Sequence, residues 1–152
     1  MKKKNKKVLL IGGSGTLGSA IANSGYFKNI INPSKKKLNL LNKKSIREFL
    51  KKNVDIIINC AAMARMSECE KKPKMAYKIN VVGTNNLVDE LINFNSKSKK
   101  DIKLIHISTD GVYESTKGNY SEKSNTNPYN FYGITKLLSE QVVKKLKKYI
   151  II

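Results

Sequence analysis

Short apolar runs bounded by polar or turn residues alternate along this chain with longer stretches whose apolar positions recur at helical spacing. The runs predict strands at 7–12 (KVLLIG), 26–32 (YFKNIIN), 55–60 (DIIINC), 102–108 (IKLIHIS) and 149–152 (YIII). The helical pattern predicts helices at 16–24, 44–52, about 73–95 and 130–148. Strands that are apolar at consecutive positions have no face to give to water, so a sheet made of them must be covered on both sides. With strands and helices in alternation, the expectation is an α/β chain: a doubly wound parallel sheet, one domain over 1–152. Two segments stand outside the alternation. Residues 33–43 are a Lys/Asn-rich connection, and 109–129 form a polar loop long enough to be expected to be functional or mobile. Ile150, Ile151 and Ile152 fall inside what should be a central strand, with nothing after them to cap it. The expectation is a chain cut short before a C-terminal region.

Composition narrows the picture. With 152 residues, 40% of them apolar, the chain can bury one core. A net charge of +19 raises the question of nucleic acid, but only Arg47 and Arg65 are arginines and no basic stripe is studded with aromatics. The lysines flank apolar segments, as solvated faces do, so no specific nucleic-acid partner is expected, only weak attraction to polyanions. Cys60 and Cys69 have no metal-ligand spacing and His106 is the single histidine. A metal site and a disulfide are therefore not expected, and a reducing cytoplasm fits. The apolar core of the basic N-terminus, Val8 to Ile11, is too short for an export signal, and no segment reaches membrane-spanning length.

VLLIGGSGTLGSAI is the first stretch with chemistry in it. It satisfies GxxGxxG with Gly12, Gly15 and Gly18, and GxGxxG with Gly13, Gly15 and Gly18, directly after a strand and at the start of a helix. Glycines there let backbone N–H groups approach a pyrophosphate, and a helix opening near Thr16 offers its positive end. An acidic residue closing the second strand would favour NAD. This chain has Asn32 there, with Lys35, Lys36 and Lys37 following, which tilts the expectation toward NADPH, with NADH the alternative.

The second stretch is NPYNFYGITKLLSE, where Tyr132 and Lys136 stand four apart at the start of a predicted helix. Roughly one Tyr-x-x-x-Lys pair is expected by chance in a chain this rich in lysine. A second, Tyr113 with Lys117, lies in the polar loop. Spacing alone does not choose between them.

DIIINCAA, KINVVGTNNLVDEL, LIHISTDGVYES and NPYNFYGITKLLSE follow the glycine turn in that order. Together these motifs resemble the extended short-chain dehydrogenase/reductase superfamily, and within it look most like the dTDP-4-dehydrorhamnose reductase family, over Val8 to Ile152. The resemblance implies a Rossmann-like fold and an NAD(P)H-dependent reductase of a nucleotide-linked 4-keto sugar, in the supply of cell-surface polysaccharide. It implies that Tyr132 donates a proton to the substrate carbonyl. Lys136, one turn on, would favour phenolate and hold the nicotinamide ribose, and Thr109 would hydrogen-bond the carbonyl oxygen. Cofactor contacts are implied for Gly12, Gly15, Thr16, Leu17, Gly18, Asn39, Leu40, Asn59, Ala61, Ala62 and Asn80, as well as for Tyr132 and Lys136. A homodimer is also compatible.

Residue by residue, plainer roles stand beside these. Thr109 can start a turn with Asp110, a lone Asn80 in mid-helix can be a buried hydrogen-bonding kink residue, and Cys60 reads as packing rather than as a nucleophile. Asn39 and Asn42 stand where relatives usually carry aspartates near the adenine. Met63 and Ser67 stand where rhamnose-pathway reductases commonly have Tyr or His and then Asp. Two other functions are compatible with the pattern: an NAD-dependent sugar epimerase or dehydratase, which more often carries a serine in place of Thr109, and a non-catalytic dinucleotide-binding or regulatory subunit.

Overall fold

The computed structural model describes residues 6–98, 100–116 and 118–152. Its centre is a parallel sheet of five strands: β1 (Val8–Ile11), β2 (Ile30–Ile31), β3 (Ile56–Asn59), β4 (Lys103–His106) and β5 (Tyr149–Ile151), in the order β2-β1-β3-β4-β5. The helices are α1 (Thr16–Asn23), α2 (Lys43–Leu50), α3 (Met66–Lys71), α4 (Pro73–Tyr77), α5 (Gly83–Ser98) and α6 (Phe131–Val143), with a π-helical turn at Lys78–Val82 between α4 and α5. The order reverses between β1 and β3, so connections leave these neighbours to opposite sides and open a crevice at their C-terminal ends.

Side chains alternate across the sheet as strand geometry requires. Leu9, Ile11, Ile57 and Leu104 point into the main core, where Leu50 of α2, Leu87 and Leu91 of α5 and Val143 of α6 meet them. Val8, Leu10 and Ile58 point the other way, toward Ile21 and Ala22 of α1. The cover is lopsided: three helices close the first face and α1 the second. Along the register row Leu10, Ile58, Ile105, Ile150 the exposure rises from 0% at Leu10 to 40% at Ile150. The expected double layer is therefore complete over β1 and thin over β5.

Boundaries shift for identifiable reasons. The second strand, expected over 26–32, keeps only Ile30 and Ile31. Gly25 turns the chain at φ +68°, and Tyr26 packs edge-on against Phe27 instead of entering the sheet. The last helix, expected to run to 148, stops at Val143, where Lys145 and Leu146 donate back to Val142 and Val143 in tighter turns. That reversal delivers Lys148 to the sheet, where its carbonyl accepts from Leu104 N–H. Helix α3 was not predicted. Side-chain caps open two of the helices that were: Asn42 accepts from Lys44 and Ser45 N–H at α2, and Asn130 accepts from Gly133 N–H at 2.7 Å at α6.

Candidate active site

The crevice at the β1/β3 switch is a cleft of about 400 Å³. One wall is the glycine turn. Gly12 has φ +83°, and a Cβ there would lie 2.6 Å from the Ala61 backbone nitrogen, so only glycine lets this turn press against the segment after β3. Gly15 N–H closes the turn on Gly12 O at 3.1 Å, and Gly18 packs beneath it, where a Cβ would come within 2.2 Å of the same oxygen.

Of the residues that the resemblance marks for cofactor contact, Gly12, Gly15, Asn39, Leu40, Ala61 and Ala62 line the cleft. Gly18, Asn59 and Asn80 are buried behind its walls, while Thr16 and Leu17 are exposed at the start of α1. The side chains of Asn39 and Asn42 are committed to backbone, Asn39 Oδ1 to Leu41 N–H and Asn42 to the α2 cap, so what this segment offers the cleft is mainly surface and backbone. Met75 and Ile79, which sequence reasoning passed over, add an apolar wall, and Lys35 stands at the rim. Cys60 also faces the cleft; burial pushes its thiol pKa up, partly offset by Lys136, which keeps it protonated and unreactive.

The second part of the site lies past β4. Asp110–Val112 form a single 3-10 turn, which Thr109 caps by accepting from Gly111 N–H at 3.1 Å. Thr109 thus does start a turn with Asp110, and its hydroxyl also meets the Tyr132 phenol. The phenol pKa is raised: burial pushes it up, the Thr109 hydrogen bond pulls it down, and Cys69 and Asp110 push it up again. The outcome differs from the expected drift toward phenolate, because desolvation dominates. Lys136 turns its ammonium to the Ile107 carbonyl, 2.5 Å away, with His106 Nε2 at 3.2 Å. Burial lowers its pKa to about 8, with Glu140 and Cys60 acting to raise it.

Position distinguishes the two Tyr-x-x-x-Lys pairs. Among the described residues Lys136 is the buried lysine, at 2% exposure, while the others lie on solvated or partly solvated surface. Tyr113 stacks on Tyr120, with ring planes 7° apart, and bridges to Thr126; Lys117 lies outside the described residues. Helix α6 can sit this close to the strand ends because Gly133 has no side chain: a Cβ would lie 2.2 Å from Gly111 O.

Asn80 occupies the π-turn, where the helix widens. Its Oδ1 accepts from Met63 N–H at 2.7 Å, and its Nδ2 donates to Met63 O at 3.1 Å and to Thr135 Oγ1 at 2.9 Å. It clamps the segment after β3 to α6 rather than facing the cleft. Sequence reasoning also missed His106, Thr135 and Ser139, all buried and all bonded within this cluster. No group of three or more metal-ligating side chains occurs among the described residues.

A parallel sheet with a glycine turn at its switch point, a cleft beside that turn and a buried lysine one turn from a tyrosine define a Rossmann-like α/β protein with a dinucleotide-type site. More narrowly, the chain belongs to the family described as RmlD substrate binding domain, whose model matches residues 6–152. It is 30% identical over 146 residues to a dTDP-4-dehydrorhamnose reductase of Mycolicibacterium smegmatis, covering 93% of this chain and 42% of that protein. It is 33% identical over 150 residues to methionine adenosyltransferase 2 subunit beta of Xenopus tropicalis, covering 91% of this chain and again 42% of the relative. A crystal structure of dTDP-4-dehydrorhamnose reductase from Bacillus anthracis in complex with NADP superposes with a TM-score of 0.83 at 32% identity, over 96% of this chain and 52% of that one. The chain thus spans about half the length of these proteins or less.

Proposed function

We propose that this chain is the dinucleotide-binding and proton-donating part of an NADPH-dependent reductase of a nucleotide-linked 4-keto sugar. The observation that carries the proposal is Lys136, buried one helical turn from Tyr132, at the strand ends beside a cleft whose glycine turn no side chain could replace. The cradle fits a pyrophosphate in that its wall is backbone, with the start of α1 behind it.

Bound in the cleft, a reduced nicotinamide dinucleotide would supply the hydride. Tyr132 would supply the proton, and its raised pKa suits that role: a phenol held above its usual value near 10 stays protonated at neutrality. Thr109 would share the carbonyl oxygen with Tyr132, since its hydroxyl already meets the phenol. Lys136, mostly charged at neutral pH with a pKa of about 8, would hold the ribose and steady the developing negative charge. Lys35 at the rim would meet a 2'-phosphate, favouring NADPH over NADH, and the NADP complex of the Bacillus anthracis relative supports that preference. Two free cysteines fit a reducing cytoplasm.

NADPH titrated against the purified chain should shift nicotinamide fluorescence, with NADH weaker; no response to either removes the proposal. A second function, binding without turnover in a regulatory subunit, draws on the similarity to methionine adenosyltransferase 2 subunit beta. NADPH binding with no oxidation on any dTDP-linked 4-keto sugar would favour it.

A further inference from the structure

His106, the last residue of β4, is 1% exposed and takes no part in the hydride and proton transfer proposed above. Its ring is held at both nitrogens. Nδ1 lies 3.3 Å from Asn59 Nδ2, and Nε2 lies 3.0 Å from Ser139 Oγ. Both ends decide where its proton sits. Asn59 accepts Ala61 N–H on Oδ1 at 3.1 Å, so its amide N–H faces Nδ1, which must accept. Ser139 gives its hydroxyl proton to the Lys136 carbonyl at 2.7 Å, so it has only a lone pair for Nε2, which must donate. The Asn59 constraint requires the neutral ring with its proton on Nε2, and the Ser139 constraint agrees with it. The Lys136 ammonium, 3.2 Å from that nitrogen, therefore donates to Ile107 O instead. Burial, and after it the Lys136 charge, hold the imidazole pKa down to about 3, so the ring is neutral through the physiological range.

The bonds form one unbroken line: Ala61 N–H to Asn59, Asn59 to His106, His106 to Ser139, Ser139 to the Lys136 carbonyl. It begins in the wall of the cleft and ends at the residue that carries the buried ammonium. Every donor in it is aimed by the bond before it, and beyond Ala61 the members Asn59, His106, Ser139 and Lys136 are all buried, with little access for water to exchange partners. We propose that His106 is a positioning residue that couples occupancy of the cleft at Ala61 to the placement of Lys136, a coupling that rests on the dinucleotide site proposed above. A ligand that draws on the Ala61 segment moves Asn59. Asn59 cannot turn without depriving Nδ1 of its donor, so the ring and the Ser139 segment of α6 move with it.

The chain's single histidine makes the test direct. Two-bond nitrogen–proton NMR on the protein should show the Nε2–H tautomer, no titration between about pH 5 and 8, and a shift of both ring nitrogens on saturation with NADPH. The Nδ1–H tautomer, or a midpoint near the usual histidine value, overturns the relay. NADPH binding by fluorescence with unmoved ring resonances overturns the coupling and leaves the functional proposal intact. No fluorescence response at all removes the functional proposal and the coupling together. His106→Phe keeps the ring's bulk and loses both bonds; it should bind NADPH about tenfold more weakly, and His106→Gln, which can still donate toward Ser139, should recover part of the loss. Val54→Ala, buried at the opposite end of the sheet, should lower stability while leaving NADPH affinity within about twofold. Wild-type affinity in His106→Phe, or an equal affinity loss in Val54→Ala, overturns the assignment.

Discussion

Two regions at the same edge of the sheet are built from different materials. At the ends of β1 and β3 the cleft wall is backbone: Gly12, Gly15, Ala61 and Ala62, with side chains conspicuous by being small. At the end of β4, against α6, the site is a buried cluster of side chains: His106 bonds to Asn59 and Ser139, Asn80 to Thr135, and Lys136 to Ile107 O. The chemistry explains the division. Any residue but proline can offer a backbone N–H to the phosphate proposed there, so the first region needs room. Moving a proton needs particular groups at shifted pKa values, so the second needs burial and partners.

Substitutions should separate the two regions. Tyr132→Phe removes the proposed proton donor and leaves the cleft alone: turnover on a 4-keto sugar is expected to fall ~10²–10⁴-fold, with NADPH affinity nearly unchanged, read by NADPH oxidation beside fluorescence titration. Parallel losses in both would merge the regions into one.

The pH dependence of folding addresses the buried cluster by itself. His106 is held at about 3 against 6.5 when unfolded, so the unfolded chain binds more protons in that window. Its contribution is complete above about pH 6.5 and is lost as the pH falls toward 3, roughly 3 kcal/mol by pH 4. Urea midpoints of the wild type should fall more steeply with acid than those of His106→Phe, and matching slopes would mean that the ring charges freely in the folded state. Lys136, lowered from 10.5 to about 8, acts at the other end: stability rises as the pH passes from 8 toward 10.5.

Smaller effects belong to the cleft. Gly12→Ala meets both a positive φ and the Ala61 backbone, and should cost about 2 kcal/mol or more together with NADPH binding. Gly25→Ala has φ +68° but open space around it, and should cost only about 1 kcal/mol by the same denaturation assay. Least of all, Lys35→Ala should reduce the preference for NADPH over NADH a few-fold, about 1 kcal/mol or less at an exposed site, in competitive titrations.

The cleft was the more legible region because its cause is local. A glycine turn between an apolar run and a helix is written in consecutive residues, and all five strands showed as apolar runs. Helix α3 escaped because MSECEK carries too few apolar positions to set a period and no side-chain cap opens it. The π-turn escaped because the bonds that hold Asn80 come from Met63 and Thr135, 17 and 55 residues away. The roles of His106 and Ser139 were hidden for the same reason, since their mutual bond spans 33 residues.

The chain's own order of residues determined the alternation that makes a parallel sheet, the turn that only glycine can make, and two tyrosine–lysine pairs that spacing could not rank. Tertiary structure ranked them. It buried Lys136 against Ile107 O and His106, left Tyr113 stacked in its loop, and turned Thr109 toward Tyr132. It also raised the phenol's pKa where the sequence suggested it would drop. Burial and partnership are sums over residues distant in sequence, and only the folded chain performs that sum.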